Sequence, residues 1–137
     1  MKAVKERVHQ KTVVSWWRMQ YPKLARCLQA SSSGAVLAGD ERSRGIQMAV
    51  LKSCGLVIGQ ADLFLSIPKH GYHGLYIEMK SLSGKISDDQ KEFLEEMRKL
   101  GYGAAVCFGA DAAILTIRNY MGENLGAVAQ TTLSTEN

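Results

Sequence analysis

A chain of 137 residues, 46% hydrophobic, with 17 Lys and Arg against 13 Asp and Glu, is long enough to bury a core as one domain and carries a formal net charge of +4. No apolar run approaches the ~18 residues of a membrane-crossing helix, and the basic opening Met1-Lys-Ala-Val-Lys-Glu-Arg leads into a charged amphipathic stretch rather than a signal-peptide core. Cys27, Cys54 and Cys107 form no CxxC pair. The composition thus argues against a membrane protein or a disulfide framework, predicts free thiols and a cytoplasmic setting, and leaves a mild lean toward polyanions.

Residues 2–19 have helical spacing, with Val4, Val8, the Lys11 stem and Val14 or Ser15 on one stripe and Trp16-Trp17 near the end. Pro22 ends this helix or opens the next turn. Leu24 to Gln29 reads as a short first strand, Ser31 to Gly34 as a loop, and Asp40 to Gly45 as a polar, mobile stretch. Ile46 to Cys54 returns to helical spacing and Gly55 stops it. A turn and strand fill Leu56 to Ile67, Pro68 to Gly71 is a hairpin-like loop, and Gly74 to Met79 is the next strand. Ser87 with Gln90 fits a capping box, and Asp88 and Asp89 suit the positive end of a helix dipole. That helix has Phe93, Leu94, Met97 and Leu100 as its buried stripe and Gly101 as its stop. Ala104 to Phe108 is a strand and Ala110 to Tyr120 the last helix. The order α-β-α-β-β-α-β-α is that of a mixed α/β sandwich, with one domain over residues 1–121 and a polar tail over 122–137.

Chemistry concentrates in two segments, Gly59-Gln-Ala-Asp62-Leu and Gly74-Leu-Tyr-Ile-Glu78-Met-Lys80. Alternation along a strand projects Glu78 and Lys80 to one side with Met79 behind. With Asp62 alongside, two carboxylates and an ammonium form a candidate divalent-cation site for phosphodiester hydrolysis. Singly, Asp62 reads more readily as a turn acid than as a ligand, and Glu78 with Lys80 as a solvated polar face, the commoner fate of such pairs. Leu75, Tyr76, Ile77 and Met79 favour burial on both sides, where a charge is costly unless paired or metal-bound.

Together with Gly84-Lys-Ile-Ser-Asp-Asp-Gln90, Gly101-Tyr102, and Glu6 and Gln10 on the opening helix, these segments resemble the VRR-NUC family, the virus-type replication and repair nucleases of the PD-(D/E)XK superfamily. The resemblance runs from about Lys5 to Tyr120 in a stand-alone, phage-type form. Two positions depart from it: Ala61 replaces the usual proline before the first acid, which touches geometry more than chemistry. Ser33-Gly34 replaces an Asn-Gly whose amide contacts a serine does not reproduce.

The resemblance implies a restriction-endonuclease-like sheet flanked by helices. It implies Mg²⁺ or Mn²⁺ held by Asp62, Glu78 and the Met79 main-chain carbonyl, with Glu6 reaching the metal through water. Lys80 would orient or deprotonate the attacking water, and Gln90 would orient water or Lys80. It further implies a homodimer that resolves Holliday junctions in the host cytoplasm, with the last helix and tail as candidate interface. A flap- or fork-selective nuclease is the alternative within the class, and a non-catalytic nucleic-acid-binding module the alternative outside it.

Basic residues gather before residue 45, and Lys5, Lys11, Arg42 and Arg44, with Lys85 further on, are the candidate phosphate contacts. His70 and His73, spaced HxxH, have no partners to complete a zinc site and read as loop polarity. Trp16 and Trp17 could stack on bases, though core anchoring is the commoner role of such residues.

Overall fold

The computed structural model describes residues 2–31 and 37–123. Ser33, Gly34 and the tail from residue 124 therefore lie outside the described residues.

Helix α1 spans Lys2–Gln20 and fully buries Val13 and Trp17. Stepping back from Val13 by three, four and seven residues reaches Gln10, His9 and Glu6, so the inward stripe is polar in the first half of the helix. The stripe expected on Val8 and Lys11 is displaced accordingly: Val8 is 58% exposed, and Lys11 and Ser15 face outward. Trp17 stacks on Tyr21 at 4.5 Å, and its indole N–H donates to the Leu24 carbonyl at 2.9 Å. Trp17 is a core anchor, unavailable to a base.

That hydrogen bond folds the following segment into a 3₁₀ helix, Pro22–Cys27, with proline at its start where no N–H is needed. The expected strand from Leu24 is thereby shortened to β1, Leu28–Ala30. The polar stretch after Asp40 is helical rather than mobile. The Asp40 carboxylate accepts from the Ser43 N–H at 2.8 Å and caps α2, Glu41–Ser53, which buries no residue. Strands β2 (Leu63–Leu65) and β3 (Leu75–Lys80), helix α3 (Asp88–Lys99), β4 (Gly103–Phe108) and α4 (Ala110–Tyr120) complete the expected order.

The sheet runs β1-β2-β3-β4, antiparallel except for the parallel pair β3-β4 that α3 connects. On one face Leu63, Leu65, Leu75, Ile77, Met79 and Cys107 meet α1 and α4. On the other face α3 sets Phe93 and Leu94 against Ala104 and Ala61. Leu100 follows the last turn of α3 and is 61% exposed, outside the buried stripe expected for it, because Gly101 at φ 93° turns the chain away there. Ala113, Ile117 and Tyr120 of α4 are fully buried against the sheet, while Ile114 and Leu115 are half-buried. His70 bonds the Tyr120 carbonyl and the His73 ring contacts Tyr102. Among the described residues no helix is long and apolar enough to cross a membrane.

Candidate active site

The ladder pattern explains why the acids meet where they do. Gly74 and Lys80 direct their carbonyls to β4, accepting from Gly103 and Gly109. Backbone groups alternate sides along a strand, so Met79 presents its N–H and C=O toward β2. Beyond the start of β2, Asp62 takes the place of a ladder partner: its Oδ2 accepts the Met79 N–H at 2.8 Å. One main-chain hydrogen bond thus fixes Asp62 against β3, with the Met79 carbonyl on the same side.

Glu78 and Lys80 project toward the α3 face at 2% and 4% exposure, the burial on both sides that the apolar neighbours implied. Gln90, at the third position of α3, does two jobs. Its Oε1 accepts the Ser87 N–H and closes the capping box, while its Nε2 donates to Glu78 Oε1 at 2.7 Å. The amide therefore orients Glu78, not Lys80. Lys80 Nζ lies 3.6 Å from Glu78 Oε1 and 3.9 Å from Glu6 Oε1, which tethers the first helix to the third strand. Glu6 and Gln10, one helical turn apart, both line the resulting cleft.

This leaves buried oxygen atoms without hydrogen-bond donors: Glu78 Oε2 and Glu6 Oε1. Burial pushes the Glu78 carboxyl up to about 8 from an ordinary 4.5; the nearby Asp62 charge adds to the rise and Lys80 opposes it. Asp62 is raised too, by burial, against the lowering effect of the Met79 N–H.

Orphaned oxygen, two crowded acids and one lysine make a donor set that a hard divalent cation would satisfy. Among the described residues no three His, Cys, Asp or Glu side chains converge on a point. A hard divalent cation such as Mg²⁺ takes one or two protein carboxylates and completes its shell with water and substrate phosphate.

A pH dependence follows. The Glu78 pKa is raised on folding, so between about 4.5 and about 8 the folded chain binds more protons than the unfolded one, and this group's stabilisation is lost as pH rises through that window. Thermal melts in EDTA are expected to fall across it, whereas saturating Mn²⁺ should flatten the decline, because the cation takes the proton's place. A decline of equal depth with and without Mn²⁺ would contradict the assignment.

The cleft encloses about 590 Å³. Asp62, Glu78, Ser87, Asp89 and Gln90 supply polar groups to its lining, and Met48 of α2 with Leu56, Val57 and Ile58 beyond that helix supplies apolar ones. Arg7, Ser31 and Gln60 also line it and were not singled out as site residues from sequence. Arg7 was legible only as one member of a basic cluster, although it follows Glu6 directly. Lys5, Lys11, Arg42, Arg44 and Lys85 are exposed and lie outside the cleft lining. Arg44 also donates to the Gly39 carbonyl at 3.0 Å.

The VRR-NUC domain family matches residues 3–111. A solved structure described as a VRR_NUC domain protein is 30% identical, over 85% of this chain and 88% of that chain, with a TM-score of 0.71. No curated protein matches the chain. The match spans well over half the sequence and includes every residue of the cleft, so the chain belongs to the VRR-NUC domain family, and its mixed four-stranded sheet flanked by helices is a nuclease-type fold.

Proposed function

We propose that the protein is a divalent-metal-dependent endodeoxyribonuclease of the PD-(D/E)XK kind that cuts branched DNA, the Holliday junction foremost. The observation that carries this reading is the buried, donorless Glu78 Oε2 beside Asp62, with Lys80 held alongside. A purely structural cluster would pair that oxygen, since an unsatisfied buried carboxylate atom is costly.

Asp62, Glu78 and the Met79 carbonyl would hold Mg²⁺ or Mn²⁺, which when bound supplies Lewis-acid polarisation of a phosphate oxygen and acidifies water. Asp62 is locked by the Met79 N–H, and Gln90 fixes Glu78, so neither carboxylate needs to reorganise when substrate arrives. Lys80 is braced between Glu78 and Glu6 and can donate to the attacking water or offset charge growing on the phosphate. Glu6 positions that ammonium through Oε1, an oxygen that makes no hydrogen bond and could also accept one from a water in the cleft. A junction has two strands to cut symmetrically, and a two-fold homodimer would present one cleft to each.

Purified protein with Mg²⁺ or Mn²⁺, offered junction, flap, splayed-arm and plain duplex DNA, is expected to nick the junction in symmetric pairs. Preference for flaps or splayed arms would move the substrate while keeping the chemistry. Failure to cut any DNA with either metal would overturn the reading.

A further inference from the structure

Beside the carboxylates lies a feature that hydrolysis itself does not use. Gln29, Phe64 and Tyr76 are successive register partners across β1, β2 and β3, and so share one face of the sheet. It is the face that carries Glu78, because Tyr76 and Glu78 are two apart on β3. Helix α3 seats Phe93 edge-on against Tyr76, with ring centroids 5.3 Å apart, but leaves Phe64 and Tyr76 half-exposed. The Phe64 and Tyr76 rings lie 4.5 Å apart at an interplanar angle of 34°, partly overlapped, and Tyr102 meets both edge-on, so the three rings form one aromatic cluster.

Phe64 and Tyr76 line a second, shallow depression of about 120 Å³ with Gln29, Ala30 and Ala61. Ser31 and Gln60 belong to the walls of both this depression and the active-site cleft, so the two are contiguous. Its volume is on the scale of a cavity that takes one benzene ring. Tyr76 precedes Glu78 by two residues and Phe64 follows Asp62 by two, a separation of about 7 Å along a strand. A phosphate at the carboxylates therefore leaves an adjoining base within reach of the rings, provided that base is unpaired. A base stacked within a duplex cannot turn its face to a protein surface.

We propose that Phe64 and Tyr76 form a stacking platform for one unpaired nucleobase next to the scissile phosphate, which makes the enzyme selective for DNA with unstacked nucleotides at the cut. The proposal rests on the nuclease reading above and deepens it by naming what branched DNA offers that duplex does not. Stacking on aromatic side chains tolerates any base, so the selectivity is for structure rather than sequence. Gln29 and Gln60 line the rim, and Gln29 Nε2 donates to the Arg26 carbonyl at 3.2 Å.

The test is a coupling measurement on junction DNA, bound by the Glu78→Gln form to prevent turnover, with an abasic site placed at each nucleotide flanking the wild-type nick in turn. At one position the abasic substitution is expected to weaken binding about 10-fold. Phe64→Leu with Tyr76→Leu should weaken binding of intact DNA by a similar ~10-fold factor, and abasic DNA should then bind the altered protein no worse. Phe64→Tyr, which keeps the ring, should restore binding. If the double variant has lost its circular dichroism, Phe64→Leu alone carries the same criterion. Nicking by the wild type combined with additive losses at every flanking position would overturn the platform alone. Absence of nicking by the wild type would overturn the nuclease reading and the platform with it.

Discussion

Glu78→Gln is expected to lower DNA cleavage by about 1,000-fold or more while leaving the metal-free protein at least as stable as the parent. On the proposed metal site the loss of activity would follow from removing one of two anionic ligands, since several kcal/mol of charge stabilisation correspond to factors of this size. The preserved stability follows from the raised Glu78 pKa: near neutral pH without metal its carboxyl already carries a proton, and an amide of the same shape removes crowding with Asp62. Lys80→Ala should also abolish cleavage but with the opposite effect on folding. It strips the ammonium held between Glu78 and Glu6, empties the space of a side chain only 4% exposed, and is expected to cost about 3 kcal/mol, as truncating a buried side chain of that size does. Melting both variants in EDTA, with DNA binding measured alongside, checks this contrast. A large fall for Glu78→Gln would mean that the glutamate is a structural partner of Lys80 and not a site prepared for a cation.

Gly59→Ala is expected to be among the most destabilising substitutions outside the core, at about 2–5 kcal/mol. Gly59 sits at φ 84°, and a Cβ there would overlap the backbone of Asp89 in the first turn of α3. Strain and collision therefore add, and relief requires moving α3, which carries Gln90 away from Glu78. Urea unfolding should show a lower midpoint, and the folded fraction should cut DNA more slowly. Gly55→Ala is the control: at φ 106° it meets the same conformational penalty, but an added Cβ finds open space, so only about 1–2 kcal/mol is expected and no effect on cleavage. Equal effects from both would show that the Gly59–Asp89 approach is not what matters.

Much of this organisation was legible in the residues because its signals are local. The Ser87–Gln90 capping box, the stops at Gly55 and Gly101, and the apolar runs of β3 and β4 each reside in a few adjacent positions. The encounter of Asp62 with Glu78 was legible only through the spacing of the family it resembles. What was missed depends on long-range packing. The 3₁₀ turn after Pro22 forms because the Trp17 indole captures the Leu24 carbonyl, which strand propensity around Leu24 does not reveal. The helical start at Asp40 was hidden because α2 buries no residue, so its cap had no apolar stripe to announce. The interior stripe of α1 was placed on Val8 because periodicity reads apolar residues, whereas this helix turns Glu6 and Gln10 inward to a cleft. Phe64 and Tyr76 gave no sign of adjacency until the register of β2 and β3 paired them.

Gln90 closes a helix cap with its carbonyl and holds Glu78 with its amide nitrogen. Glutamate closes such a cap as well, yet here it would set a further acid against Glu78 and Asp62, so the amide suits the cleft where a carboxylate would not. The same linkage runs in both directions. Whatever tightens Glu78 also tightens the first turn of α3, and fraying of that turn loosens the carboxylate by the same free energy. The beginning of a helix is thereby a thermodynamic part of the site, and substrate affinity and the local order of α3 form a single quantity viewed from two ends.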